Sequence, residues 1–376
     1  RSTPLYSSAA SDVYKRQVES PKGELARGTP PFEDGVSLYF ASLNRNKRSI
    51  VLDLKSEGGR RALHRLLETA DVLVENMRPG VRDRLGCSDE DLKQINPNLI
   101  CASISGFGQN GSLSQRPAYD IVVQAMSGMM SVTGEPDGEP MKCAMPVADL
   151  MAGMYAGVAI NAALRHRELS GQGQHIDIGM LDVMVAFSTV QGMNYLATGE
   201  VPKRLGNAHP NIVPYQAFKT SDGDIILAVG NDDQFRRFCD IAGAPDLAED
   251  QRFATNSERL KNRDEIVSLV QYLIMKKATQ FWLDALEAKS VSGGPINRLD
   301  QIFNDPHIEA RGMKLEMDCQ ASRRGKVRLI NSPMNLSATP TKARLAPPML
   351  GEHTEEVLGE IGYGSDFQKL KANGIV

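Results

Sequence analysis

Apolar and polar positions fall into two regimes along the chain. In the first, short apolar runs alternate with helical periods. Residues 49–54 read as a strand, and Ser56 then opens a helix with Ala62, Leu63, Leu66 and Leu67 on one face. Residues 71–75 read as the next strand. Ser88 and Asp91 have the spacing of a capping box and predict a short helix. Residues 99–105 read as a buried strand and 119–132 as a helix rich in Val, Ala and Met. A long helix is predicted over 149–169, where Gly153, Ala156, Gly157, Ala159, Ala162 and Ala163 let another helix or a ligand approach closely. A strand at 174–178 and a helix at 180–196 follow. Such alternation predicts an α/β fold, a largely parallel sheet covered by helices.

The pattern changes after Gly199. Residues 203–214 form a polar connection containing Gly, Asn and Pro. Residues 215–220 and 224–229 predict a hairpin across Ser221-Asp222-Gly223. Helices are predicted near 231–242, 257–276 and 279–288. The expected organisation is a large α/β domain over 18–200, a linker over 201–214, a smaller α+β domain over 215–325 and a return segment over 326–376. That return segment holds a run at 326–330, a proline-rich stretch through Pro348 and a helix near Glu355.

Composition narrows the function classes. The chain has 376 residues, enough for two domains, with 41% apolar and 24% charged residues, as in a globular protein. A net charge of −3 gives no electrostatic case for nucleic acid or an anionic membrane. No uninterrupted apolar run is long enough to span a bilayer. Five scattered cysteines without a CxxC pair read as reduced thiols in a cytoplasmic protein, and no metal site is expected. Residues 1–17 (RSTPLYSSAASDVYKRQ) are polar and aperiodic and resemble translated adaptor sequence, so native sequence is expected to begin near Val18.

Asp149 is the leading candidate for chemistry. It lies in Met145-Pro146-Val147-Ala148-Asp149, where a strand is expected to give way to the long helix. Aspartate is a common N-cap, which is the bland reading of this residue. A carboxylate held ionised at a helix start can also attack a thioester. Gly106-Phe107-Gly108-Gln109-Asn110-Gly111 is a literal GxGxxG, but 112–117 is turn-like rather than helical, and no acidic residue closes a later strand. A dinucleotide site is therefore not expected. Arg27, Lys55, Arg78, Arg84 and Lys142 each read as solvated surface, though together they would suit a polyphosphate. The Gly206–Asn211 stretch reads as a linker or a substrate-covering loop.

From Val18 almost to Val376 the chain resembles the class III (CaiB/BaiF-type) coenzyme A-transferases. The resemblance rests on ordered motifs: Ser42-Leu43-Asn44-Arg45-Asn46-Lys47-Arg48-Ser49-Ile50, Leu52-Asp53-Leu54-Lys55, Asp71 to Gly80, Ser105-Gly106-Phe107-Gly108, Arg116-Pro117-Ala118-Tyr119-Asp120, the Asp149 segment, Gly294-Pro295-Ile296-Asn297 and Leu350-Gly351-Glu352-His353-Thr354. It implies a Rossmann-like large domain and a smaller α+β domain in an interlocked-ring homodimer. It also implies that the family's first strand and helix are missing here.

The same resemblance assigns Asp149 as nucleophile, with an anhydride and then an aspartyl thioester as intermediates. It places CoA contacts at Arg27, Leu52, Lys55, Asn76, Met77, Arg84 and Tyr119. It implies acyl-CoA and a carboxylic acid as substrates, with no prosthetic group. The Gly206–Asn211 loop and its continuation to Phe218 look like members acting on short dicarboxylates. That makes Gly206, Asn207 and His209 candidate substrate contacts, with Arg204 and Arg298 for a distal carboxylate. Val291-Ser292-Gly293-Gly294-Pro295 departs from the family's usual Pro-Cys or Pro-Tyr pair. An α-methylacyl-CoA racemase is the alternative. It is disfavoured because Tyr119 stands where that subgroup has its histidine, and a phenol is a poor base near neutral pH. A truncated chain that binds CoA without turnover is a further alternative.

Overall fold

The computed structural model describes residues 15–376. Most of the expected non-native tail, residues 1–14, lies outside the described residues. The chain divides into two compact units. One holds the residues up to Met129, Cys143–Thr189 and Pro306–Val376, and the other holds Met130–Lys142 and Val190–Asp305.

The first unit begins with β1 (Lys15–Glu19). A two-stranded antiparallel ribbon follows, β2 (Phe32–Glu33) with β3 (Val36–Ser37), and then β4 (Lys47–Val51), parallel to β1. Residues 15–17, assigned to the tail from sequence, pair with Lys47, Arg48 and Ser49 in β4. The strand expected at 49–54 therefore starts two residues earlier. It ends at Val51 because the Asp53 N–H turns to the Ile375 carbonyl at 2.8 Å. Strands β5 (Val72–Glu75), β6 (Ile100–Ser105) and β7 (His175–Gly179) form a second parallel sheet with β6 in the centre. All six β6 residues are buried, as its unbroken run of small and apolar residues predicts. The α/β class with parallel strands holds, although among the described residues those strands lie in two sheets.

The Glu57–Leu67 helix forms as its pattern predicts. Ser56 Oγ accepts the Gly59 N–H at 2.9 Å. Ala62 and Leu66 pack with Ile50 and Leu52, whereas Leu63 and Leu67 pack with Leu99 and Cys101. The Ser88–Asp91 capping box is also present. The long helix spans Val147–Ser170 and packs on β6, β7 and the Met180–Phe187 helix. By length and mean composition it is apolar enough to cross a membrane, although charged residues interrupt its apolar run at Asp149 and from Arg165. Alanine and glycine raise its apolar content without forming a bulky apolar run.

Two predicted helices are broken. The 119–132 helix splits into Asp120–Met126 and Met129–Val132 because Gly128 takes a positive φ of 85°. The 180–196 helix splits into Met180–Phe187 and Thr189–Thr198, where Thr189 has a φ of 37°. Both breaks lie next to places where the chain passes between units.

The second unit is built on an antiparallel sheet of β8 (Tyr215–Lys219), β9 (Asp224–Ala228) and β10 (Ser292–Pro295), with β9 central. Phe218, Ile225, Leu227, Phe235, Phe238 and Trp282 share its core. The helix predicted over 257–276 is two helices, Asn256–Lys261 and Arg263–Ile274, separated by Asn262. The expected boundaries at 201, 215 and 325 shift accordingly. Residues 130–142 and 190–214 join this unit, and the chain rejoins the first unit at Pro306. The early return has a packing cause. Strands β11 (Lys314–Asp318) and β12 (Lys326–Ile330) form a hairpin whose Val327 and Leu329 share a core with Val36 and Ala41.

Candidate active site

A cavity of about 550 Å³ in the first unit lies beside the end of β6 and the start of the Val147–Ser170 helix. Asp149 lines it. Pro146 takes the N-cap position, so Asp149 is the third helical residue rather than the cap. No strand precedes it at 141–146 either, because that segment is irregular. Asp149 still sits in the first turn, where aligned peptide dipoles and unpaired N–H groups favour a carboxylate.

The capping is done from another helix. Asp120 Oδ1 accepts the Ala148 N–H at 2.8 Å, and its Oδ2 accepts the Gln124 side-chain N–H at 2.6 Å. Gln124, with no exposed surface, accepts the Cys143 N–H through Oε1 at 2.8 Å. Both ends of the segment leading to Asp149 are thereby tied to one helix. Tyr39 faces the same cavity, and its phenol is pushed above the ordinary value by burial first and then by the charge of Asp149.

Of the CoA contacts expected from motifs, Asn76, Met77 and Tyr119 line this cavity with Asp149. The Asn76 side-chain N–H donates to the Ile104 carbonyl at 2.6 Å, which fixes the amide. The remaining four do not line it. Leu52 is wholly buried in the core beside Ile50 and Val357. Arg27 donates to both Glu19 oxygens at 2.7 Å and to the Pro348 carbonyl at 2.9 Å, with its guanidinium 3.9 Å over the Phe40 ring. Lys55 and Arg84 are exposed. Arg78, one of the five cations read as suited to a polyphosphate, lines the cavity, and so do Tyr39, Ser105 and Arg116, which were not singled out as ligands. The sequence signal for them was weak, since a tyrosine or arginine between elements reads as surface.

Gly106 explains the GxGxxG. A Cβ there would meet Ala118 Cβ at 2.5 Å, so glycine permits close packing rather than a phosphate cradle. No helix opens after Gly111.

In the second unit, the loop read as substrate-covering is pinned along its length. The Gly206 N–H donates to Gly134 O at 3.0 Å, while Asn207 is exposed. Arg204 donates to the carbonyls of Glu135, Ser131 and Gly138 at 3.2, 3.4 and 2.7 Å. His209 Nδ1 accepts the Asn211 N–H at 3.1 Å, and Arg263 donates to the carbonyls of His209 and Pro210 at 3.0 and 2.7 Å. Burial, then the Arg263 charge, lowers the His209 pKa. The exposed Arg298 is paired with Asp300 at 2.7 Å. Arg204 and Arg298 are thus both engaged within their own unit.

The first unit thus combines a parallel sheet, a carboxylate in a helix first turn and a cavity at the strand end. Residues 16–354 match the model of CoA-transferase family III, and the chain belongs to that family. It is an enzyme of the CoA-transferase type, whose substrates are CoA thioesters. It is 44% identical to a succinate–glutarate CoA-transferase of Agrobacterium fabrum, covering 93% of this chain and 88% of that protein. It is 42% identical to an acetyl-CoA:oxalate CoA-transferase of Acetobacter aceti, covering 80% and 78%. Among solved structures, a CAIB/BAIF family protein from Brucella suis matches with a TM-score of 0.77 at 42% identity, covering 92% of this chain and 91% of that one.

Proposed function

We propose that this chain moves CoA between an acyl-CoA and a short dicarboxylic acid, with Asp149 as nucleophile. The observation that carries the reading is Asp149 in a helix first turn, within one cavity beside Asn76, Met77 and Tyr119. The similar transferases named for succinate, glutarate and oxalate support dicarboxylates as the acid class. An Asp149 oxygen bonds to the thioester carbonyl carbon, and the C–S bond breaks with its electron pair on sulfur. The product is a mixed anhydride and CoA thiolate. The thiolate then attacks the aspartyl carbonyl carbon, releasing the first acid as carboxylate and leaving CoA as an aspartyl thioester. The second acid's carboxylate attacks that carbonyl, and the displaced thiolate then takes the new acyl group, which frees Asp149. No net proton transfer is needed.

Arg78 and Arg116 line the cavity, so they replace Arg204 and Arg298 as candidates for the distal carboxylate. Lys55 and Arg84, exposed, remain assigned to CoA phosphates by motif alone. A homodimer is part of the proposal. The Asp149 helix exposes Met154, Tyr155, Val158 and Leu169, the last two at 67% and 75%, and a second chain would cover such a face. A cytoplasmic location rests on the free cysteines. The test is to incubate the protein with succinyl-CoA, quench with hydroxylamine and map peptides by mass spectrometry. A hydroxamate on Asp149 is expected. Deuterium entering the α-carbon of an acyl-CoA without acyl exchange would instead identify a racemase.

A further inference from the structure

We propose that Ser105 is a further catalytic residue, donating a hydrogen bond to the carbonyl oxygen that Asp149 activates by attack. The inference rests on the nucleophile reading above and adds the group that receives the developing charge. Ser105 is the last residue of β6, is 5% exposed and lines the cavity with Asp149. Its Oγ has no hydrogen-bond partner among the described residues. Ser103 lies two positions back on the same face of β6, and its hydroxyl meets the His175 ring at 2.9 Å. The two serines read alike in sequence, yet only one is satisfied internally.

A buried hydroxyl without a partner is costly to the fold, so its place in the wall of the cavity that Asp149 also lines calls for a ligand atom. The ligand atom it suits is an acceptor. The neighbouring Asn76 amide commits one of its two N–H groups to Ile104 O, which leaves the other as a second donor at the cavity wall. Its surroundings hold Ser105 still. The Gly106 carbonyl accepts the Leu181 N–H at 3.0 Å, and Gly106 has no room for a Cβ against Ala118. A fixed donor gains most where charge develops. As the Asp149 oxygen bonds to the carbonyl carbon, the C=O π pair moves onto oxygen, and Ser105 O–H stabilises that oxyanion while keeping its own proton. Collapse restores the C=O bond and expels CoA thiolate.

The test compares Ser105→Ala, Ser105→Thr and Asp149→Ala in steady-state transfer from succinyl-CoA, hydroxamate trapping and thermal unfolding. Ser105→Ala is expected to lower kcat roughly 100–1,000-fold with KM changed less than about three-fold. Its melting temperature should be unchanged or raised, because an unsatisfied hydroxyl has gone, and Ser105→Thr should recover part of the rate. Unchanged kcat in Ser105→Ala overturns the proposal, and so does a rise in KM alone. A loss of kcat that tracks a lowered melting temperature also overturns it, since that marks a structural serine. If Asp149→Ala keeps transfer activity, the nucleophile reading fails and this proposal falls with it. If Asp149→Ala is inactive and Ser105→Ala fully active, only the present proposal falls.

Discussion

Asp120 and Gln124 offer a test of how the Asp149 helix is held, and it can be run with polarity reversed. Asp120→Ala removes the acceptor of the Ala148 N–H and of the Gln124 side-chain N–H. Ala148 and Gln124 are both without exposed surface, so two donors are left buried and unpaired. Each costs about 1–3 kcal/mol, giving roughly 2–5 kcal/mol after partial relaxation. Loss of a charge near a helix start adds about 0.3–1 kcal/mol at most. Asp120→Asn keeps one oxygen for Ala148 but turns an N–H towards the Gln124 N–H, so about 1–3 kcal/mol is expected. Gln124→Glu alone sets two carboxylates against each other. The double variant Asp120→Asn/Gln124→Glu restores every bond, since Asn donates to Glu and Glu still accepts the Cys143 N–H. A coupling of about 1–3 kcal/mol follows. Denaturant unfolding measures the stabilities, and the rate of hydroxamate formation on Asp149 reports the site. Strictly additive effects, or less than about 0.5 kcal/mol for Asp120→Ala, would refute the reasoning.

Asp149→Ala should abolish transfer yet cost only about 0.3–1 kcal/mol in unfolding experiments, because Asp149 lies in the first turn and is not the cap. Lys47 is buried, and burial lowers its pKa to about 8, against the opposing pull of Glu24 and Glu19. Between that value and the unfolded value near 10.4 the unfolded chain holds up to one more proton, so this residue's contribution to stability rises with pH by about 3 kcal/mol. Stability measured over pH 7–11 in the parent and in Lys47→Met should differ by that rise, and a difference that does not change with pH would contradict it. In the second unit, Arg259 has no exposed surface and donates to Val213 O, Phe253 O and Asp232, each at 2.7 Å. Arg259→Ala should cost roughly 3–5 kcal/mol, read as early unfolding or proteolysis near residues 209–214, and a near-normal melting curve would contradict it.

Local signals were legible where one residue decides a local backbone bond. Ser56 caps its helix and Ser88 with Asp91 forms its box, because those bonds span three residues. The β6 run is buried as read, since its residues admit only an interior strand. Helix interruptions were not legible. Gly128 and Thr189 adopt positive φ for reasons set by chain path, and the surrounding periodicity continues through both.

The cavity was legible in part of its lining and not in its support. Residue order and motif pointed to Asp149, Asn76, Met77 and Tyr119, and one cavity gathers those four. Motif could not show that Arg204 is consumed by three backbone carbonyls. Nor could it show that Leu52 faces the core or that Arg27 is committed to Glu19. A side chain's chemistry is fixed by its type, but its availability depends on partners distant in sequence.

By itself the sequence determined the alternation of strands and helices, the short-range caps and the type of residue able to attack a thioester. Those properties are carried by apolar periodicity and by groups within a few residues of one another. Tertiary structure alone decided that Asp120, not Asp149, satisfies the helix start, and that Ser105 is left unpaired while Ser103 is not. It also decided that residues 306–325 belong with the first unit. These outcomes depend on hydrogen bonds and core contacts between segments far apart in the chain, and pairing of that kind leaves no periodic trace in residue order.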